Sequence, residues 1–149
     1  MRMRKHLKIY LAGKMGGLSY EDMNKWRVEL KNKLLFISQD MNYDLLVINP
    51  VNFYNFEEQR HQSEKEIKEY DLAHVVTSDI IIVNLDGLST SDGTKIELHD
   101  ANYHHKIPVI SFGDRKLYEE LHPWIKENIT RVENNMDNVV EYIKEFYMI

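Results

Sequence analysis

Glu97 is the side chain best placed to do chemistry in this chain. It follows the polar loop 84–94, which holds Asn84, Asp86, Gly87, Ser91, Asp92, Gly93 and Thr94. That loop in turn follows the β-branched run Ile80, Ile81, Ile82, Val83. A run so apolar suits a strand buried on both faces of a parallel sheet. Beyond the loop the pattern turns helical, with Glu97 expected in the first turn. A carboxylate just past the carboxyl end of a central strand lies where open α/β sheets bind their ligands. A second cluster, Gly13-Lys14-Met15-Gly16-Gly17, ends the first apolar run, and its glycines allow positive φ and close backbone approach to a ligand. An aromatic loop after Pro50 completes the set expected at this edge of the sheet.

These residues also have plainer readings. A first-turn glutamate is favoured by the helix dipole alone. Asp71 read alone is a solvated helix residue, while Asp86 and Asp92 suit loop residues that bond their own backbone. The glycine turn is no P-loop, since no G-K-[ST] follows at the required spacing, and it lacks the G-x-G-x-x-G order of a dinucleotide site. The seven histidines, among them His99, His104 and His105, show no metal-ligand spacing on a shared helical face and read as surface residues. Phe53, Tyr54 and Phe56 read as core or loop packing, with stacking on a ligand ring as the other option. Tyr10 sits in a buried strand whose two faces the sequence does not distinguish.

Strands are expected at 7–12, 44–48, 80–83 and 107–111, with a short fifth at 130–132. Helices are expected between them. Ser19, with Asp22 three residues on, opens one that carries Met23, Trp26, Leu30, Leu34 and Ile37 inward to about Ser38. Ser63 and Glu66 form a capping box for a second, running roughly to Thr77 and carrying Ile67, Tyr70, Leu72 and Val75 or Val76 inward. A third spans 93–105. Residues 112–129 are mixed, with short helices around His122-Pro123-Trp124. The last helix, 135–147, presents Met136, Val139, Val140, Ile143 and Phe146 on one face. Strand–helix alternation of this kind builds a doubly wound (Rossmann- or flavodoxin-like) parallel sheet with right-handed crossovers.

With 149 residues the default is one domain, 1–149, large enough for a proper core. A formal charge of −5 argues against a nucleic-acid polymer as partner, because such binding needs a basic surface. The absence of cysteine excludes disulfides, thiolate catalysis and cysteine-ligated metals. The basic start, residues 1–8, precedes an apolar stretch too short for a signal-peptide core, and no run is long enough to span a membrane. A cytoplasmic protein is expected.

Several short pieces in register carry a resemblance. They are Ile9-Tyr10-Leu11-Ala12-Gly13; Asp71, then Ser78-Asp79-Ile80; Asn84-Leu85-Asp86-Gly87; Gly93-Thr94; Glu97-Leu98; and Lys106-Ile107-Pro108-Val109-Ile110. Across about residues 8–111 this order resembles the nucleoside 2-deoxyribosyltransferase family, including its relatives that hydrolyse 2′-deoxynucleoside 5′-monophosphates. The resemblance implies cleavage or transfer at an N-glycosidic bond. Glu97 would be the nucleophile toward C1′, a role that suits a carboxylate facing an oxocarbenium-like centre. Asp71 would face the nucleobase and help protonate it, with the two carboxylates' pKa values pushed apart so that Glu97 stays ionised. Tyr10 would orient Glu97.

Gly13, Lys14, Met15, Gly16, Asp86, Gly87, Ser91, Asp92 and Gly93 would surround the substrate. Two departures from the family pattern bear on that substrate. Transferases of free nucleosides carry an aspartate six residues before the nucleophile, whereas this chain has Ser91, as the monophosphate hydrolases do. A hydroxyl at a helix start favours a phosphate that a carboxylate would repel. The hydrolases' first-loop arginine is matched by Gly16, leaving Lys14 or Arg27 to supply a cation. The implied chemistry needs no metal or organic cofactor, and the family's habit implies a homo-oligomer, a dimer or larger. The alternative is a non-catalytic nucleotide-binding or sensing module on the same fold.

Overall fold

The structure, a computed structural model, describes residues 4–54, 58 and 60–149. Its strands are β1 Lys5–Ala12, β2 Tyr43–Ile48, β3 Ile80–Asn84, β4 Val109–Phe112 and β5 Arg131–Glu133. They form one sheet in the order β2-β1-β3-β4-β5, and every pairing is parallel. The helices are α1 Tyr20–Ser38, α2 Glu64–Val76, α3 Asp92–His99, α4 Arg115–Glu119, α5 Pro123–Lys126 and α6 Met136–Tyr147. This is the doubly wound α/β architecture that the strand–helix alternation predicts. No helix among the described residues is long and apolar enough to cross a membrane.

Strand alternation divides the core into two layers. Ile9, Leu11, Ile80 and Ile82 pack on one face with Leu30 and Leu34 of α1 and Val139 and Ile143 of α6. Tyr10, Ala12, Ile81 and Val83 pack on the other, with Val75 of α2 and Leu98 of α3. All five residues of β3 are buried, as a strand covered on both faces requires. The chain leaves β1 toward one face of the sheet and β3 toward the other. A crevice opens between their carboxyl ends, where this strand order binds ligands.

The helix starts follow their caps. Ser19 Oγ accepts from Asp22 N–H at 3.1 Å, and Ser63 Oγ accepts from Glu66 N–H at 3.1 Å. The Glu66 carboxylate reaches past Ser63 and accepts from Gln62 N–H at 3.0 Å.

Several boundaries differ from expectation. β4 begins at Val109 because Pro108 has no N–H to give; its carbonyl accepts from Ile81 N–H at 3.0 Å. The third helix stays α-helical only to His99 and continues as a π-helical turn, Asp100–His104. α3 begins at Asp92, so Glu97 lies in its second turn and the first-turn dipole reading does not apply. Tyr70 and Phe146, expected inside, are 42% and 56% exposed. Near α6 the chain folds back at Met148, whose N–H bonds Ile143 O at 3.1 Å and whose buried side chain joins the core.

Candidate active site

A cavity of about 780 Å³ lies between the glycine turn after β1, the first two turns of α2 and the start of α3. Gly13, Lys14, Met15 and Gly16 line it from one side, Ser91, Asp92, Gly93 and Glu97 from another, and Asp71 from α2. Met23, Ile67 and Leu72 supply apolar wall. Most of the substrate-contact residues expected from sequence are thus brought to one space. Asp86 and Gly87 are not. They line a neighbouring depression with Trp26 and Asn84, and Lys14 borders both. Gly87, at φ +77°, leaves room for Lys14 to cross it, since a Cβ there would lie 2.8 Å from Lys14 Cδ.

Tyr10 resolves toward the α2–α3 face, 1% exposed, and its hydroxyl donates to Glu97 Oε2 at 2.5 Å. This bond joins β1 to α3. Burial drives the Glu97 pKa up to about 7, and the nearby Asp71 charge adds to the rise. The Tyr10 hydrogen bond and the Arg27 cation oppose it. The Tyr10 hydroxyl is pushed well above the usual phenol range by its burial and by Glu97, so it stays a donor.

Asp71 Oδ2 accepts from the Tyr54 hydroxyl, while its buried Oδ1 has no partner among the described residues. Burial raises the Asp71 pKa, against the opposing effect of the Tyr54 bond. Both carboxylates are therefore raised, and Glu97 holds its proton up to about pH 7. The two carboxylates line one cavity, Glu97 bonded to Tyr10 and Asp71 to Tyr54.

Around Asp71 an aromatic shell has formed. Phe53 stacks on His74 at 4.6 Å, and Tyr70 meets Phe53 edge-on at 5.2 Å. His61 lies 5.9 Å from Tyr54 and shares a proton-bearing contact with Glu66 at 3.2 Å. Phe53 and Tyr54 thus pack as expected, but Tyr54 also lines the cavity and fixes Asp71. Phe56 lies outside the described residues. The role of Tyr54 had no signal in the sequence, because its partner is 17 residues away.

At the other end of the cavity the first amides of α3 have no acceptor within the helix. Ser91 forms no cap; its hydroxyl lies 2.7 Å from Thr94 Oγ1. The Asp92 carboxylate is 97% exposed and 3.9 Å from Lys95, turned to solvent. Lys14 Nζ bonds Thr90 Oγ1 at 2.9 Å and borders the cavity, as does Lys68. Arg27 cannot supply the cation there: it is fully buried and bonded to the carbonyls of Leu11, Gly13 and Met23. Lys14 is the cation of the first loop.

No family model and no curated protein matches the chain. Solved structures do. A conserved protein from Enterococcus faecalis V583 superposes with a TM-score of 0.70 at 21% identity, over 97% of this chain and 99% of that one. The 2-deoxyribosyltransferase from the psychrotolerant bacterium Bacillus psychrosaccharolyticus gives 0.54 at 20% identity, over 91% of each chain. A Clostridium botulinum CMP N-glycosidase gives 0.55 at 17%, over 93% of this chain and 98% of its own. The fold implied by the resemblance in the sequence is the fold found: this chain is built on the same doubly wound scaffold as a deoxyribosyltransferase and an N-glycosidase.

Proposed function

We propose that the protein cleaves the N-glycosidic bond of a 2′-deoxynucleoside 5′-monophosphate, transferring the sugar first to Glu97 and then to water or a second base. The observation that carries this reading is the Glu97 carboxylate, held by Tyr10 at 2.5 Å, in a cavity that also receives Asp71. A carboxylate fixed by one oxygen leaves the other free to attack, and a second carboxyl can carry the proton that the departing base needs.

In the cleavage step a Glu97 oxygen forms a bond to C1′ as the C1′–N bond breaks. The bonding pair leaves on the base nitrogen, and Asp71 delivers its proton to the base. In the second step water attacks C1′, the C1′–O bond to Glu97 breaks, and the proton of water returns to Asp71. When a second base takes the place of water, the product is a new nucleotide. Developing positive charge on the sugar favours ionised Glu97, and a ring nitrogen accepting from Asp71 favours protonated Asp71. Substrate thereby favours a proton on Asp71 and none on Glu97.

The preference for a phosphate rests on the end of the cavity opposite Asp71. Ser91, the first amides of α3 and Lys14 offer donors and positive charge, and the exposed Asp92 carboxylate stands 3.9 Å from Lys95. Such an end suits a dianion. The neighbouring fold of a CMP N-glycosidase is in keeping with this. Chromatography of mixtures containing each deoxynucleoside or its 5′-monophosphate, with and without a free acceptor base, tests the reading. Free base released from monophosphates supports it. Tight nucleotide binding without any turnover would make the protein a sensing module instead.

A further inference from the structure

We propose that Tyr54 is a positioning residue of this site: its hydroxyl holds one oxygen of Asp71 as an acceptor, so that the proton destined for the base sits on the other. The inference rests on the glycosidase reading and adds to it the residue that aims the acid.

Tyr54 directly follows a short 3-10 turn, Pro50–Phe53, and the chain is anchored on both sides of it. Upstream, buried Asn49 accepts from Val51 N–H at 3.1 Å and donates through Nδ2 to Asn24 Oδ1 on α1 at 2.8 Å. Val51 is buried, and the Phe53 ring stacks on His74 of α2. Downstream, His61 Nδ1 lies 3.2 Å from Glu66 Oε1, while the other Glu66 oxygen accepts from Gln62 N–H. The His61 ring meets Tyr54 at 5.9 Å and Tyr70 at 5.8 Å. Caps and ring contacts thus hold a loop tyrosine against α2.

The Tyr54 hydroxyl donates to Asp71 Oδ2, and both residues line the cavity. Asp71 Oδ1 is sealed from solvent and has no partner among the described residues. The two oxygens of one carboxyl are therefore unequal. A neutral carboxyl accepts on its carbonyl oxygen and donates from the other. With a phenol donating to Oδ2, that oxygen is the carbonyl, and the acid proton belongs on Oδ1. The phenol does not replace Asp71 as the acid, because burial and the bond to Asp71 push its pKa well above the usual phenol range. In cleavage the proton passes from Oδ1 to the base nitrogen as the C1′–N bonding pair departs with the base. The Tyr54 bond to Oδ2 persists, now to a carboxylate, and strengthens as the charge forms. Without the hydroxyl, the proton is free to sit on either oxygen and the acid is no longer aimed.

The test compares wild type, Tyr54→Phe, Asp71→Asn and the double variant on two substrates. One is an unmodified deoxynucleoside monophosphate that wild type cleaves. The other carries a base that leaves with little help from an acid, a 7-methylated purine or a 5-fluorinated pyrimidine. Tyr54→Phe keeps the ring contacts and removes the donor. On the unmodified substrate it should lower kcat about tenfold with KM within about twofold, and on the activated one less than about threefold. In the Asp71→Asn background it should change kcat by less than about twofold, since the group it aims is gone. Equal losses on the two substrates, or the whole loss repeated in the Asp71→Asn background, overturn the proposal, because a merely structural role gives that pattern. So does a Tyr54→Phe variant as active as wild type. Wild type that releases no base from any deoxynucleoside monophosphate rejects the glycosidase reading, and this role with it. The other outcomes bear on Tyr54 alone.

Discussion

The Tyr10 hydroxyl and the Glu97 carboxylate meet at 2.5 Å, 87 residues apart in sequence, joining β1 to the second turn of α3. One bond fixes the rotamer of the proposed nucleophile and favours its ionised form. Tyr10→Phe keeps the ring packing and removes only the donor. A hydrogen bond to a charged group contributes about 1.5–3 kcal/mol, so kcat/KM should fall roughly 10- to 100-fold. Steady-state rates on a deoxynucleoside monophosphate would show this; a change within twofold would mean that Tyr10 does not hold Glu97 during catalysis.

The pH dependence follows from the raised pKa values of Glu97 and Asp71. Cleavage needs one proton on the pair, so kcat/KM should trace a bell. Its alkaline limb marks loss of the last proton, which both raised carboxylates hold above the usual range. Its acid limb marks the binding of a second proton. Asp71→Asn removes both the proton donor and the charge that raises Glu97. The remaining activity should be low and should rise with pH to a plateau, with its midpoint below 7. A bell surviving in Asp71→Asn would assign the limbs to other groups.

Folding stability should carry the same signature. The Glu97 pKa is raised from 4.5 to about 7 on folding, so its contribution is fully present below about pH 4.5 and is lost as pH rises through 7. Discounted for the opening to the cavity, the loss is about 2–3 kcal/mol. Glu97→Gln lacks the titrating group and should melt higher than wild type at pH 8, with the gap closing toward pH 4. Thermal denaturation across this range decides it. Equal melting temperatures at pH 8 would contradict the burial of the Glu97 charge.

Substrate choice should turn on Ser91. Aspartate there would place a carboxylate beside the amides at the start of α3, where the phosphate is proposed to sit. Two like charges in a partly buried cleft repel by about 1–4 kcal/mol. Ser91→Asp should lower the preference for monophosphate over free nucleoside by at least about fivefold, read as the ratio of kcat/KM values. An unaltered ratio would move the phosphate site elsewhere.

The sheet was legible because its strands are apolar runs bounded by turn residues, and β3 is the plainest of them. Strand–helix alternation made the loop ends at one edge legible, Glu97 among them, whereas Tyr10 and Asp71 joined Glu97 only through the family resemblance. Arg27 was legible only as an alternative cation, and the structure turns it inward. Nothing in helical periodicity distinguishes a buried arginine, whose acceptors are backbone carbonyls, from a solvated one. The Tyr54–Asp71 bond and the outward turn of Tyr70 depend on how the loop before α2 packs, which local pattern does not encode.

The most direct test of the account is a search for the covalent intermediate. Wild-type protein quenched during turnover of a deoxynucleoside monophosphate should gain the mass of one deoxyribose phosphate, and peptide mapping should place it on Glu97. Glu97→Ala should show neither the adduct nor base release. Base release from Glu97→Ala at the wild-type rate, or an adduct mapped to any other side chain, would contradict the central claim.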